Sequence, residues 1–219
     1  MKRKTIAVLG LGLFGTSLAR TLAKEGHDVI VMDKNMDHVE EVIDEVDQCL
    51  QGDFTKIEQL KDAGVGDSDI AVVATSQRLE DTILAILHLQ KLGINKIIVK
   101  SKNADYRDVL LKVGADRVIL PEVEMGVRIA RELSNPTVHE LMGLDHRNNI
   151  SIFPAKNNWV GKTINQMNFR EKYGTNIIAI RKEDSDQFHI EFTGDYIIKK
   201  EDEFLGISTG DTLRQQFQD

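Results

Sequence analysis

Along the first half of the chain, unbroken apolar runs alternate with stretches whose apolar positions recur at helical spacing. Ile6-Ala7-Val8-Leu9 is apolar at every position, as expected of a strand covered on both faces in a parallel sheet. Behind it, Phe14, Leu18 and Leu22 recur every fourth residue and Gly26 supplies a stop, which predicts a helix from Phe14 to Lys24. The same alternation continues with strands over Val29 to Met32, Gln48 to Leu50, Ile70 to Ala74, Lys96 to Val99 and Arg117 to Leu120. Helices are predicted over Met36 to Val46, Ile57 to Ala63, Leu79 to Leu92 and Ala104 to Val113. Six strands interleaved with helices predict an α/β fold, a doubly wound Rossmann-type parallel sheet.

The pattern stops where the three prolines cluster, at Pro121, Pro136 and Pro154, with a helix-like stretch from Glu122 to Leu133 between the first two. We place the domain boundary near Asn135-Pro136, giving a nucleotide-binding domain over residues 1–134 and a second domain over 135–219. The second half offers strand patterns at Ile150 to Phe153, Asn176 to Arg181 and Glu203 to Ser208, and a helix pattern at Thr163 to Met167. This predicts a small α+β module, with the charged run Lys182-Glu183-Asp184-Ser185-Asp186 as a hairpin loop.

Composition narrows the function classes. Charged residues soon interrupt every apolar stretch, so none approaches the roughly 18 residues of a membrane span. The chain opens Met1-Lys2-Arg3-Lys4 and passes directly into a strand pattern, so a cytoplasmic location is expected. A net charge of -7 disfavours a nucleic-acid partner, because the phosphate backbone would be repelled unless one face were strongly basic. Lys2 to Lys4, the one dense basic cluster, reads as a solvated terminus. Cys49 is the single cysteine, which excludes an internal disulfide and reads as buried packing.

Candidate chemistry lies at Gly10-Leu11-Gly12-Leu13-Phe14-Gly15. A dinucleotide-binding turn needs its first glycine to bend out of the strand, its second to let phosphates meet bare backbone, and its third to let the helix pack on the sheet. The helix beginning there offers unpaired N–H groups and the positive end of its dipole to an anion. Asp33 closes the second strand about 20 residues further on, where a carboxylate accepts ribose hydroxyls and disfavours a 2'-phosphate. A purely structural turn, and an N-cap role for Asp33, are the alternatives. The histidines His27, His38, His88, His139, His146 and His189 are scattered, and Ser76 follows the fourth strand without a nucleophile-elbow pattern. We therefore expect a sensor without catalytic residues, the alternative being a small NAD-dependent oxidoreductase. A nucleotide-responsive DNA-binding regulator is a weaker third, lacking a helix-turn-helix signal.

Further residues make the pattern specific. Ile6-Ala7-Val8-Leu9-Gly10-Leu11-Gly12 is followed by Val99-Lys100, by Gly114-Ala115-Asp116-Arg117-Val118-Ile119-Leu120-Pro121-Glu122, and by Met125-Gly126. In the second half come Trp159-Val160-Gly161-Lys162-Thr163-Ile164, Asn168-Phe169-Arg170-Glu171-Lys172-Tyr173-Gly174 and Ile177-Ile178-Ala179-Ile180. Together they resemble the RCK (KTN) proteins, cytosolic regulatory subunits of Ktr and Trk potassium transporters, over nearly the whole chain.

The resemblance implies homodimers that assemble into a homo-octameric ring at the inner face of the cell membrane. The ring would sit beneath a membrane potassium channel subunit of the KtrB/TrkH type and change shape with the bound nucleotide. It implies ATP/ADP or NAD/NADH at Gly10, Leu11, Gly12, Leu13, Phe14 and Gly15, with Asp33 holding the ribose and Lys34 beside it. Asp53, Ala74 and Thr75 would line the base and sugar side, and Lys100 would lie near the phosphates. Glu122 would sit at the dimer interface and there help bind a divalent cation, a helix first-turn carboxylate being the alternative. Leu13 departs from the family, many members having arginine there, so weak discrimination of ATP from ADP by this position is expected. In some relatives the C-terminal module binds cyclic di-AMP. Ile164, Ile177 and Arg170 match that pattern and Asn168 falls within it, whereas Asn165 stands where an apolar residue is usual and Gly194 where some relatives have proline.

Overall fold

The computed structural model describes residues 2–75, 78–134, 137–145, 147–183, 185–209 and 217. Ser76, Asn135-Pro136, His146 and Asp184 lie outside the described residues, and with them the proposed boundary itself. The chain divides into two compact units, Met1–Glu124 and Met125–Asp219.

The first unit is built from β1 (Thr5–Leu9), α1 (Leu13–Lys24), β2 (Asp28–Asp33), α2 (Met36–Glu40), β3 (Gln48–Gln51), α3 (Ile57–Asp62), β4 (Ile70–Val73) and α4 (Leu79–Lys91). It continues through β5 (Ile97–Lys100), α5 (Arg107–Val113) and β6 (Arg117–Ile119), and α6 (Pro121–Ser134) runs on across the unit boundary. The six strands pair in parallel in the order β3-β2-β1-β4-β5-β6. This is the doubly wound arrangement, and its order reverses at β1. Alternate residues of β1 enter opposite cores: Ala7 and Leu9 pack with Ile97 and Val99 on one side, Ile6 and Val8 with Val29 and Val31 on the other. Both faces being covered, the strand has no polar position, which is why its sequence is a continuous apolar run.

Two expectations shift. The helix anticipated over Met36 to Val46 is α-helical only to Glu40, and turns carry the chain to β3. Cys49 is half-buried, not buried, because β3 is the edge of the sheet and is covered less than the central strands; what burial it has pushes its thiol pKa up.

The second unit holds β7 (His139–Gly143), β8 (Asn148–Pro154), α7 (Ile164–Met167), α8 (Phe169–Tyr173), β9 (Thr175–Arg181), β10 (Phe188–His189) and β11 (Glu203–Thr209). Its antiparallel sheet has the order β10-β9-β11-β8-β7. β7, α8 and β10 went unread in the sequence. Asn168 adopts the left-handed region at φ 45 and separates α7 from α8, a conformation asparagine tolerates better than most residues. The core is aromatic: Trp159 is fully buried and meets Phe169 and Tyr173 edge-on at centroid distances of 5.0 and 5.3 Å.

Asp202 is fully buried in this unit, and its carboxylate is held by the hydroxyl of Tyr196 at 2.9 Å and by the amide of Lys199 at 2.8 Å. Burial and the hydrogen bond to Asp202 push the Tyr196 pKa up to about 12. A phenol whose folded pKa lies above its unfolded value near 10 stabilises the fold fully below the unfolded value, and that stabilisation is lost as pH rises through the folded one. Stability should therefore fall between pH 10 and about 12, and the high-pH step in tyrosine absorbance should vanish in Tyr196→Phe.

Candidate functional site

The three glycines of the turn differ in what the chain itself demands of them. Gly10 has φ 100, and a Cβ there would lie 3.0 Å from the Cβ of Thr75, so both backbone and space require glycine. At Gly15 a Cβ would lie 2.0 Å from the carbonyl oxygen of Gly10, so the close packing of α1 on the turn requires it. Gly12 is unlike both: its backbone is ordinary, at φ -70, and a Cβ would meet nothing within 4 Å. It is the N-cap of α1, with no side-chain cap and no acidic residue in the first turn of the helix. The first amides of α1 are thus free for an anion.

A cleft of about 420 Å³ opens over this turn along the carboxyl ends of the strands. Of the expected residues, Gly10, Gly12, Asp33, Lys34, Ala74, Thr75 and Lys100 line it. Leu11 is buried beneath the turn, Gly15 is buried in α1, and Phe14 packs on the core behind it. Leu13 is 96% exposed and does not line the cleft. Asp53 lines a neighbouring cavity together with Lys34 instead. Burial raises the Asp53 pKa, but hydrogen bonds from Thr55 and Lys34 outweigh it and hold the group below the usual carboxylate range.

Asp33 fixes the turn as well as lining the cleft. Its carboxylate accepts the Leu11 amide at 2.6 Å and the Asn35 amide at 2.8 Å. Asn35, not Asp33, is the N-cap of α2 and accepts the Asp37 amide at 3.1 Å. His38, one of the histidines that are scattered in the sequence, lines the same cleft with Nδ1 3.4 Å from Asp33.

At the opposite end Lys100 is only 12% exposed, stands over the ring of Phe14 at 5.7 Å, and pairs with Glu122 at 2.7 Å. The Lys100 hydrogen bond lowers the Glu122 pKa. Among the described residues no group of three or more His, Cys, Asp or Glu is placed to hold a metal ion. Sequence reading also missed Phe54, Arg78, Asp81 and Lys102, all of which line the cleft. Their signal was position alone: Phe54, Arg78 and Lys102 lie in the segments after β3, β4 and β5, and Asp81 in the first turn of α4. With Lys34, Arg78, Lys100 and Lys102 against Asp33 and Asp81, the cleft is cationic in an acidic chain, a field that draws an anion inward.

The pocket pattern expected in the second unit is divided. Ile164 and Ile177 are half-buried and pack against the aromatic core, while Asn165, Asn168 and Arg170 are exposed. Asn165 donates its amide to the Gly194 carbonyl at 2.8 Å, and its side chain occupies the space a Cβ on Gly194 would need.

Comparison with known proteins agrees with this architecture. The TrkA-N domain model matches residues 6–121 and the TrkA-C domain model residues 150–215. Ktr system potassium uptake protein C of Bacillus subtilis (strain 168) is 34% identical over 180 residues, 82% of this chain and 81% of that protein. Ktr system potassium uptake protein A of the same organism is 34% identical over 181 residues, 83% and 82% of the two. The fold is also that of a GsuK channel bound to NAD, with a TM-score of 0.59 at 18% identity, covering 97% of this chain and 38% of that one. With TrkA-N and TrkA-C domains, the chain belongs to the RCK (KTN) family.

Proposed function

We propose that this chain is the nucleotide-binding regulatory subunit of a Ktr/Trk-type potassium uptake system, with an adenine nucleotide, ATP/ADP or NAD/NADH, in the cleft of its first unit. The observation that carries the reading is Gly12. The fold has no need of glycine there, yet the residue lies bare between the acid of Asp33 and the cations beyond it. A ligand whose phosphates press on the backbone supplies the missing reason. The names of the relatives, both potassium uptake proteins, supply the process.

In this reading nucleotide exchange gates the transporter by population shift. A nucleotide opens the pore only by as much as it binds the open assembly better than the closed one. Association with a second copy is supported by α6, which leaves Val123 and Val127 half-exposed on one side and Met125 and Ile129 on the other; the homo-octameric ring is what the family resemblance implies. No helix among the described residues is long and apolar enough to cross a membrane; in this reading the pore belongs to a separate subunit of the KtrB/TrkH type, at whose cytoplasmic face the ring would sit. A divalent cation at Glu122 would need ligands from a second copy, since within the chain that carboxylate pairs with Lys100. Cyclic di-AMP would lie in the second unit against Arg170.

The test is calorimetry of the purified protein with ATP, ADP, NAD, NADH and cyclic di-AMP, followed by co-purification with a candidate membrane subunit and potassium flux with each ligand. Micromolar binding of at least one adenine nucleotide and a flux that depends on which is bound are expected. Flux indifferent to every nucleotide would reject the gating role.

A further inference from the structure

Charge is ordered along the carboxyl edge of the first sheet. At the end of β2 stands the acid Asp33; at the end of β1 are Gly10 and Gly12, without side chains; Arg78 follows β4, and Lys100 and Lys102 come at and after the end of β5. Neighbouring strands lie about 4.8 Å apart, so this edge runs from an acidic end to a cationic end within the length of one nucleotide. A sugar whose hydroxyls meet Asp33 places its first phosphate at the amides of α1, and further phosphates then extend over β4 towards β5.

The cations at that end are not equally available. Lys100 is nearly buried and already neutralised by Glu122. Leu13, at the start of α1, turns outward and carries no donor. Arg78 is different: it is the N-cap residue of α4, its side chain is 68% exposed, and its ion pair with Glu80 is a long one, at 3.9 Å. Arg78 and Lys102 line both the nucleotide cleft and an adjoining cavity of about 490 Å³ that continues past it. They stand where the phosphate chain leaves the glycine turn. Asp81, in the first turn of α4, lines the cleft with them, and among the described residues Asp33 is the other carboxylate that does so.

We infer that Arg78, assisted by Lys102, is the specificity-determining residue that reads phosphates beyond the first, and that it supplies from the β4 side the donor that Leu13 does not. The planar guanidinium suits a phosphate through two parallel hydrogen bonds, and its charge cannot be titrated away. This rests on the proposal that the cleft takes an adenine nucleotide. It makes the ligand a nucleoside polyphosphate, with affinity rising from AMP through ADP to ATP.

The experiment is calorimetry with AMP, ADP and ATP on the full chain and on Arg78→Ala, Arg78→Lys and Lys102→Ala. In the wild type ATP should bind more tightly than AMP. Arg78→Ala should weaken ATP by about tenfold and leave AMP within about twofold, as expected for one charge-assisted contact. Arg78→Lys should recover part of the loss, having the charge without the fork, and Lys102→Ala should lose less than Arg78→Ala. Arg78 is exposed, so folding is not at stake, and thermal melting without ligand should be unchanged. Equal weakening of AMP and ATP, or a wild type indifferent to phosphate number, would overturn the inference while leaving nucleotide binding intact. A wild type that binds none of the three would overturn the nucleotide reading and this inference with it.

Discussion

Gly12→Ala should fold as the wild type does and bind nucleotide at least about tenfold more weakly, whereas Gly15→Ala, three residues later in the same motif, should not fold properly at all. The contrast follows from what a methyl group meets at each place. At Gly12 it meets nothing within 4 Å, and φ is -70. The small cost of alanine at an N-cap is offset by the reduced freedom of the unfolded chain, so stability should stay within about 1 kcal/mol. The same methyl stands where phosphates must approach backbone amides, so affinity should fall by at least about tenfold, which is about 1.4 kcal/mol. At Gly15 the methyl would lie 2.0 Å from the Gly10 carbonyl oxygen and 3.1 Å from the Ala74 side chain. Neither is a flexible side-chain end, so α1 would have to lift from the sheet, at about 3 kcal/mol or more. Such a loss is a large part of the 5–15 kcal/mol that typically holds a domain together. Melting with and without ligand separates the cases: Gly12→Ala keeps the wild-type transition and loses the ligand-induced rise, while Gly15→Ala melts early or not cooperatively. Wild-type melting of Gly15→Ala would show that the close approach is not needed; undiminished binding by Gly12→Ala would remove the main support for the cleft as a phosphate site.

The turn was legible in the sequence because its signals are local. A buried parallel strand must be apolar throughout, and three glycines at fixed spacing report backbone requirements that no other residue meets. The central strands could be read that way, the polar edge strands β3 and β6 only from the regular alternation with helices, and the acid at the end of β2 from its distance to the glycines. What could not be read depends on the ends of strands far apart in sequence meeting in space. Arg78 and Lys102 look like ordinary surface charges until β4 and β5 are seen side by side, and His38 is one helical histidine until α2 turns it beside Asp33. Residue-level matching also cannot tell lining from support: Leu11 and Gly15 belong to the motif but lie beneath the cleft, and Asp53 opens into the cavity next to it. Of the unread elements in the second unit, α8 with five residues and β10 with two are too short for a period. Tertiary packing, not local preference, makes them. Ile164 and Ile177 show the same limit from the other side, since an apolar pair that matches a ligand pattern is engaged with the core.

Trp159→Ala should unfold the second unit selectively, and the result bears on how the two units share their labour. The indole is fully buried, touches Phe153, Phe169, Tyr173 and Phe204, and donates its N–H to the Tyr173 hydroxyl at 3.1 Å. Truncation would leave a cavity at the centre of the aromatic cluster and an unpaired phenol at its edge, a loss of about 3–5 kcal/mol. The second unit is small, and small units have little stability to lose. The first unit has its own two cores on either face of its sheet, and the aromatic cluster is built from residues of the second. Trp159→Ala should therefore keep nucleotide binding in calorimetry while its far-UV dichroism shows a second, earlier transition. As Trp159 is the single tryptophan, its fluorescence in the wild type reports the second unit alone, and nucleotide should raise the dichroism transition of the first unit more than the fluorescence transition. A Trp159→Ala protein that melts in one step and has lost nucleotide binding would show instead that the cleft depends on the second unit, and the regulatory signal would then have to be sought in the coupling between the two.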